Sequence, residues 1–388
     1  MPINQILVPL VLATLFALSC GNKDVNHDVM AVDIDQTPVK WQSIDNCWVY
    51  AMVGWIESLV LRDTGEERNY SESYLMYRYF QDQLLFKVPK RIQTAGLWVR
   101  GQHIVTKYGL MLEGDFIPEE RDEAKSSRQK DAVDMINQRL ADNNFRQRLQ
   151  STEDEERSKF VLSFLNEAFK LESVPDSSLI ISTDDIEIQS TSGNRQSLTQ
   201  ELRRWRLVYH NPSLFAWQDG GLTVEQLPSL PAGGLSAAQI SLERQVITAL
   251  NKGDPVILEW FIDFNARNNE GVFSLAQLKA KGSGRNGYHQ TVIEDYGARV
   301  FDQSGNLVDT IGEGEVSPTR RKRAETNGRL DFLIVKNSWG PSQSSYSVGG
   351  EAGYHKLEID YLHSWIKSSL GSAVAPADTG LRGFILPR

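Results

Sequence analysis

The chain has 388 residues, 41 basic against 50 acidic side chains, and a net charge of −9, with an isoelectric point near 5.3. That balance excludes a nucleic-acid binder, whose footprint is a basic stripe, while 40% hydrophobic residues is ordinary for a chain with a substantial core. Only two cysteines occur, Cys20 and Cys47, so at most one internal disulfide can form and stability must come mainly from core size.

Residues 6–18 form an apolar leader, shorter than the ~20 apolar residues that span a bilayer, and 1–19 is predicted to be a signal peptide. It closes in Ala17-Leu18-Ser19-Cys20, and Ser19-Cys20-Gly21 resembles a bacterial lipobox, in which the cysteine is lipidated. The leader lacks Lys and Arg, and Ala17-Leu18 departs from the usual order; an unlipidated secretory signal is the alternative. On the lipobox reading, residues 20–38, with Asp24, Asp33 and Asp35, are a polar tether. Gly21 and Asn22 carry no acidic retention signal, which favours export to an outer membrane, on its periplasmic or surface face. A Cys20–Cys47 disulfide is the competing use of the two thiols.

Residues 48–61 are apolar on nearly every face, the pattern of a central buried helix, stopped by Asp63-Thr64-Gly65. Ser71 is the expected N-cap of a second helix, and a helix over 97–107 is expected to end at Tyr108-Gly109. Residues 122–149 are heavily charged, with Val133, Ile136 and Leu140 at helical spacing, and 160–171 repeats that pattern. Residues 179–182 read as a strand, and 202–209 is ambiguous. From a helix over 242–251 onward the pattern turns to β: 255–264, 289–300, 331–336 and 353–359 are expected strands. The basic run Arg320-Arg321-Lys322-Arg323 reads as a solvated loop between strands, an anionic contact being the alternative. A helical first half facing a later antiparallel sheet is an α+β layout.

Cys47 stands directly before the buried helix, where N–H groups and the helix dipole favour negative charge. A thiol attacks slowly until a histidine takes its proton, and His289, in Gly287-Tyr288-His289, is the candidate partner of a thiolate–imidazolium pair. Asn337, in Lys336-Asn337-Ser338-Trp339-Gly340, would orient the imidazole. Gln42 and the Cys47 backbone N–H would receive a developing oxyanion. Trp339 would shield the Asn337–His289 bond. His27, His103, His210, His355 and His363 have no ligand spacing with cysteines or carboxylates, so neither a metal nor a cofactor is expected.

These strings resemble the papain family of cysteine peptidases: Gln42 with Asn46-Cys47-Trp48, Gly287-Tyr288-His289, and Lys336-Asn337-Ser338-Trp339-Gly340 followed by Gly353-Tyr354. More narrowly, Tyr70-Ser71-Glu72-Ser73-Tyr74-Leu75 and Gly96-Leu97-Trp98 with Tyr108-Gly109 look like its bleomycin hydrolase and aminopeptidase C branch. The resemblance implies a two-lobed fold, with a helical lobe over 39–116 and an antiparallel β lobe with a C-terminal extension over 231–388. It implies Cys47, His289, Asn337 and Gln42 as catalytic residues, and Gly96, Trp98, Tyr288 and Trp339 as substrate-binding residues. Gln42 lies five positions before Cys47 where the family has six, Ala95 replaces the first of a Gly-Gly pair, and Gln290 replaces a small apolar residue. The 242 positions from Cys47 to His289 exceed the about 130–150 of compact relatives, so 117–230 is read as a mostly helical insertion. The function implied is a lipid-anchored peptidase acting on peptides or proteins through an acyl-enzyme. A papain-fold module that binds peptides or a partner without turnover, or a thiol amidase or transferase, are the alternatives.

Overall fold

The computed structural model describes residues 32, 34–86, 88–190, 193–210, 235–312, 316–341, 345–348, 351–367 and 377–387. The leader over 1–19, Cys20, most of the tether and residues 211–230 lie outside them. Among the described residues no helix is long and apolar enough to cross a membrane.

Helix α1, Cys47–Thr64, is buried from Trp48 to Val60 without interruption, as its all-round apolarity requires. It stops at Gly65, whose φ of 70° suits glycine and whose N–H donates to Leu61 O at 2.7 Å. Helix α2, Glu72–Phe86, is capped by Ser71, whose Oγ accepts the Tyr74 N–H at 2.9 Å. Helix α3, Trp98–Tyr108, ends at Gly109, also at φ 70°. After the short α4, Glu113–Phe116, come α5, Arg128–Ala141, α6, Asn143–Ser151, and α7, Asp154–Phe169. Helices α5 and α7 pack on each other and on α2, where Tyr77, Phe116 and Phe169 meet edge to face at 5.6–6.1 Å.

The second half is built on one large sheet. Its strands are β3, Trp205–Tyr209; β4, Val256–Asp263; β5, Val272–Phe273; β6, Asn286–Phe301; β8, Gly328–Lys336; β10, Glu351–Glu358; and β13, Leu381–Pro387. They lie in the order β3-β13-β4-β6-β8-β10-β5, with β7, Leu307–Ile311, beside β6 and β9, Tyr346–Val348, beside β10. All pairings are antiparallel except β10 with β5. Two small hairpins, β1 with β2 (Glu187–Gln189, Arg195–Ser197) and β11 with β12 (Trp365–Lys367, Ala377–Thr379), stand apart from it. The helix-rich first half against this sheet is the α+β class the pattern predicts.

Helix α1 lies on β6 at Gly54, where a Cβ would come into ordinary contact with Val292 at 3.6 Å. The Trp55 indole N–H donates to Pro255 O at 2.9 Å, so this buried donor is satisfied. The ambiguous 202–209 resolves into α8, Leu198–Arg204, followed by edge strand β3, so the 117–230 segment contributes a strand to the main sheet. Helix α9, Ala237–Asn251, opens with a capping box of Ser236 and Gln239.

Two expectations fail. Residues 179–182 are not a strand: Leu179 ends a 3-10 turn, Ser177–Leu179, and Ile181 makes a single bridge to Leu110. The Arg320–Arg323 run is not a loop. After the seven-residue α10, Leu275–Lys281, it lies in α11, Pro318–Asn327, with Ser317 at the N-cap and Pro318 in the first turn. Arg320 grips Asp309 of β7 at 2.7 and 2.9 Å, so part of its charge is spent within the fold.

Candidate active site

The nucleophile candidate owes its place to two junctions. The segment before α1 is stitched to the loop after β8: Gln42 N–H donates to Ser338 O at 2.8 Å, Gly340 N–H to Lys40 O at 3.1 Å, and Trp41 bridges Trp339. Asn46, fully buried, donates from Nδ2 to Gln129 Oε1 of α5 at 2.9 Å, and Gln129 Nε2 donates on to Ser73 Oγ at 3.0 Å. Cys47 then starts α1, half-buried at the wall of a cleft of about 770 Å³ that Gln42, Gly96, Tyr288, His289 and Trp339 also line. The backbone N–H groups of Gln290 and Trp48 lie close enough to its sulfur to favour the thiolate. One of these belongs to the residue after His289, so helix start and β6 meet at the sulfur.

His289 is 4% exposed and pairs in register with Trp260 of β4. Its Nε2 lies 2.7 Å from Asn337 Oδ1, and its ring stacks on Trp339 at 4.9 Å and 21°. Asn337 Oδ1 also accepts the Ser338 N–H at 2.7 Å. An oxygen can only accept, so His289 carries its proton on Nε2 and leaves Nδ1 as a free base. Gln42 is held by Ser338 Oγ, which donates to its Oε1 at 2.6 Å; one of its two Nε2–H groups goes to Ile44 O at 2.9 Å, leaving the other for the cleft.

The electrostatics correct one expectation. Burial pushes the Cys47 thiol up to about 11, against the pull of the two N–H groups, and Glu259 and Asp45 push the same way. Burial drives the His289 imidazole down to about 4, the Asn337 bond opposing. Burial thus favours a neutral thiol and a neutral imidazole over the expected thiolate and imidazolium, against the helix start.

The substrate-binding candidates divide. Gly96, Tyr288 and Trp339 line the cleft, and a Cβ on Gly96 would stand 2.5 Å from the Trp48 indole, so only glycine fits there unshifted. Trp98 is a core residue, 2% exposed, donating from Nε1 to Trp205 O at 3.3 Å and packed edge-on against Trp55 at 5.4 Å. Three residues at or behind the site carry no sequence signal. Glu259 lines the cleft and is paired with Arg382; Gln129 holds Asn46; and His355 stands behind Asn337.

One group among the described residues has metal-ligand potential: atoms of His210, Glu243 and His363 lie within 4.8 Å of one another. Both ring Nε2 atoms face Glu243 Oε1, at 3.3 and 2.9 Å. The capping box fixes Gln239 Oε1 on Ser236 N–H at 2.9 Å, so Gln239 Nε2 donates to His210 Nδ1 at 3.4 Å. His210 therefore keeps its proton on Nε2 and donates it to Glu243. As they stand, these residues form a closed hydrogen-bond knot.

No family model matches the chain, and no curated protein does. Among solved structures it is similar to a bromelain protease from Ananas comosus in complex with an inhibitor, at 13% identity and a TM-score of 0.36, over 91% of this chain and 93% of that one. It is also similar to xylellain, a cysteine protease from Xylella fastidiosa, at 11% identity and a TM-score of 0.39, over 94% of this chain and 88% of that one.

Proposed function

We propose that this chain is a thiol peptidase of the papain type. One observation carries the reading: the Cys47 sulfur meets the backbone of the residue next to His289, whose ring Asn337 holds with its basic nitrogen bare. In this mechanism Cys47 Sγ attacks a peptide carbonyl as its proton passes to His289 Nδ1. The free Gln42 Nε2–H and the Cys47 N–H receive the oxyanion. His289 then protonates the departing amine, leaving an acyl-enzyme. Water repeats the steps in reverse: its proton goes to His289, the acid leaves, and the proton returns to sulfur.

A neutral resting pair fits this scheme, since transfer occurs as attack begins. The test is labelling by an electrophilic peptide epoxide with peptide mapping. Stoichiometric modification of Cys47, absent in Cys47→Ala, is expected; a folded, reduced sample that takes no label ends the proposal.

The finer likeness to the bleomycin hydrolase branch is proposed on its strings alone, and these serve as scaffold: Ser71 caps α2 and Gly109 ends α3. The leader and Ser19-Cys20-Gly21 support a lipid anchor at Cys20, with export to an outer membrane. Cys20→Ala should shift the protein from the membrane to the soluble fraction, and unchanged fractionation would remove the anchor. A second reading, a peptide-binding module without turnover, is favoured by the high thiol pKa and by the Gln42 N–H spent on Ile44. Undiminished peptide binding by Cys47→Ala, with no cleavage of a mixed peptide library by wild type, would select it.

A further inference from the structure

Behind Asn337, on the side away from His289, stands a second histidine. His355 lies in β10, opposite Val335 of β8, and is 2% exposed. Its ring packs against Trp339 at 5.1 Å and Phe273 at 5.5 Å. Its Nδ1 is 3.2 Å from Asn337 Nδ2, and its buried Nε2 has no hydrogen-bond partner.

A carboxamide has two ends, and turning it over exchanges donor for acceptor. Asn337 Oδ1 serves Ser338 N–H and His289 Nε2–H, so Nδ2 must donate outward, and His355 Nδ1 is what it meets. His355 thus accepts at Nδ1 and carries its own proton on Nε2, where that proton goes unpaired. A phenylalanine ring would fill the same space without a buried orphan N–H. What it would lack is the lone pair at Nδ1.

We propose that His355 is a positioning residue of the Cys47–His289 site, acting through Asn337: its Nδ1 locks the carboxamide in one orientation, which keeps the His289 proton on Nε2 and its Nδ1 free as the base. The inference rests on the thiol-peptidase reading. The lone pair endures across the neutral range, because burial drives the His355 imidazole down to about 3, with the nearby Arg267 and His289 acting in the same direction. Without His355 the carboxamide is held at its Oδ1 end alone, by the Ser338 N–H, and its Nδ2 end is left buried without an acceptor, which loosens the angle at which Oδ1 meets His289.

The experiment compares inactivation by an electrophilic peptide epoxide in wild type, His289→Ala, His355→Phe and His355→Asn, each checked for a cooperative melt. Asparagine offers its Oδ1 near the position of the lost Nδ1, whereas phenylalanine preserves bulk alone. His355→Phe should lower the maximal inactivation rate roughly ten-fold, the worth of one buried unpaired group, with little change in the half-saturating concentration, and His355→Asn should recover most of that loss. Phe matching wild type, or outperforming Asn, overturns the inference while leaving the peptidase reading intact. If His289→Ala reacts as fast as wild type, the peptidase reading falls and takes this one with it. Nitrogen-15 spectra of histidine-labelled wild type give a readout that needs no variant: His355 should show a bare Nδ1 and a protonated Nε2 at neutral pH. A proton found on His355 Nδ1 also overturns the proposal.

Discussion

Two buried clusters of this molecule share one outline, a histidine on either side of a central amide or acid, and behave in opposite ways. In His289–Asn337–His355 the centre is a carboxamide, which has one accepting end and one donating end. One ring must give and the other must take, so each proton has a single home and the ring facing the cleft keeps a basic nitrogen. In His210–Glu243–His363 the centre is a carboxylate, which accepts from both sides, and Glu243 Oε2 also takes the Leu330 N–H at 3.2 Å. That centre is charged and closed: the bonds from His210 and His363 outweigh its burial and hold Glu243 down to about 2. A neutral centre makes a directional relay suited to moving a proton, and a charged one makes a clamp suited to holding α9, β8 and the segment around His363 together.

Breaking the outer rings should separate the two roles most widely. His289→Ala should cut kcat/KM roughly 10³-fold through loss of the general base, with a normal melt. His210→Ala should leave kcat unchanged and cost about 2–4 kcal/mol, since it removes a buried ring and strands the Gln239 amide. Equal effects on turnover would erase the distinction.

Exchanging the centres comes next. Wild-type activity should fall as pH drops through about 4, where His289 takes a proton and ceases to be a base. Asn337→Asp places an anion beside that ring and should move this acid limb upward by about 1–3 pH units; an unmoved limb would detach Asn337 from His289. Glu243→Gln should cost about 1–3 kcal/mol at neutral pH, because its NH2 must face either the Leu330 N–H or the two imidazole N–H groups, leaving buried donors without an acceptor. Glu243 titrates lower in the folded chain than in the unfolded one, so its contribution is present above the ordinary carboxylate range and is lost as pH falls toward about 2. Melts of Glu243→Gln should therefore depend less steeply on acid than those of wild type.

The smallest effect lies outside both clusters. Gly96→Ala pushes a methyl toward Trp48 and should raise KM a few-fold, on the order of 1 kcal/mol of overpacking at the cleft wall. Unaltered kinetics would remove Gly96 from substrate contact.

How far the sequence speaks follows from what each feature depends on. Cys47, His289 and Asn337 are picked out together because each sits in a local string, at a helix start, along β6 and just after β8, and the structure brings the last two into contact. The α1 core is legible because its apolarity has no polar face to misassign. His355, Gln129 and Glu243 are silent because their partners, Asn337, Asn46 and the two histidines, come from remote segments and obey no spacing. The thiol's direction of shift was misread for a related cause: the helix start is written in the sequence, whereas the degree of burial is a property of everything packed around it. The basic run of α11 was misread by its charge, although Ser317-Pro318 is a local helix-start signal. Trp98 was drawn into the cleft by its neighbour Gly96, while its own ring points to Trp55.

The Asn46–Gln129 bond ties α5 to the residue just before Cys47. Asn46 Oδ1 already lacks a partner, so a chain cut down by excising the helices after Phe116 would leave the residue before the nucleophile with no polar neighbour at either end of its side chain. Helix α5 thus buttresses the first turn of α1, and on the thiol-peptidase proposal a version without it would be expected to fold with its thiol adrift.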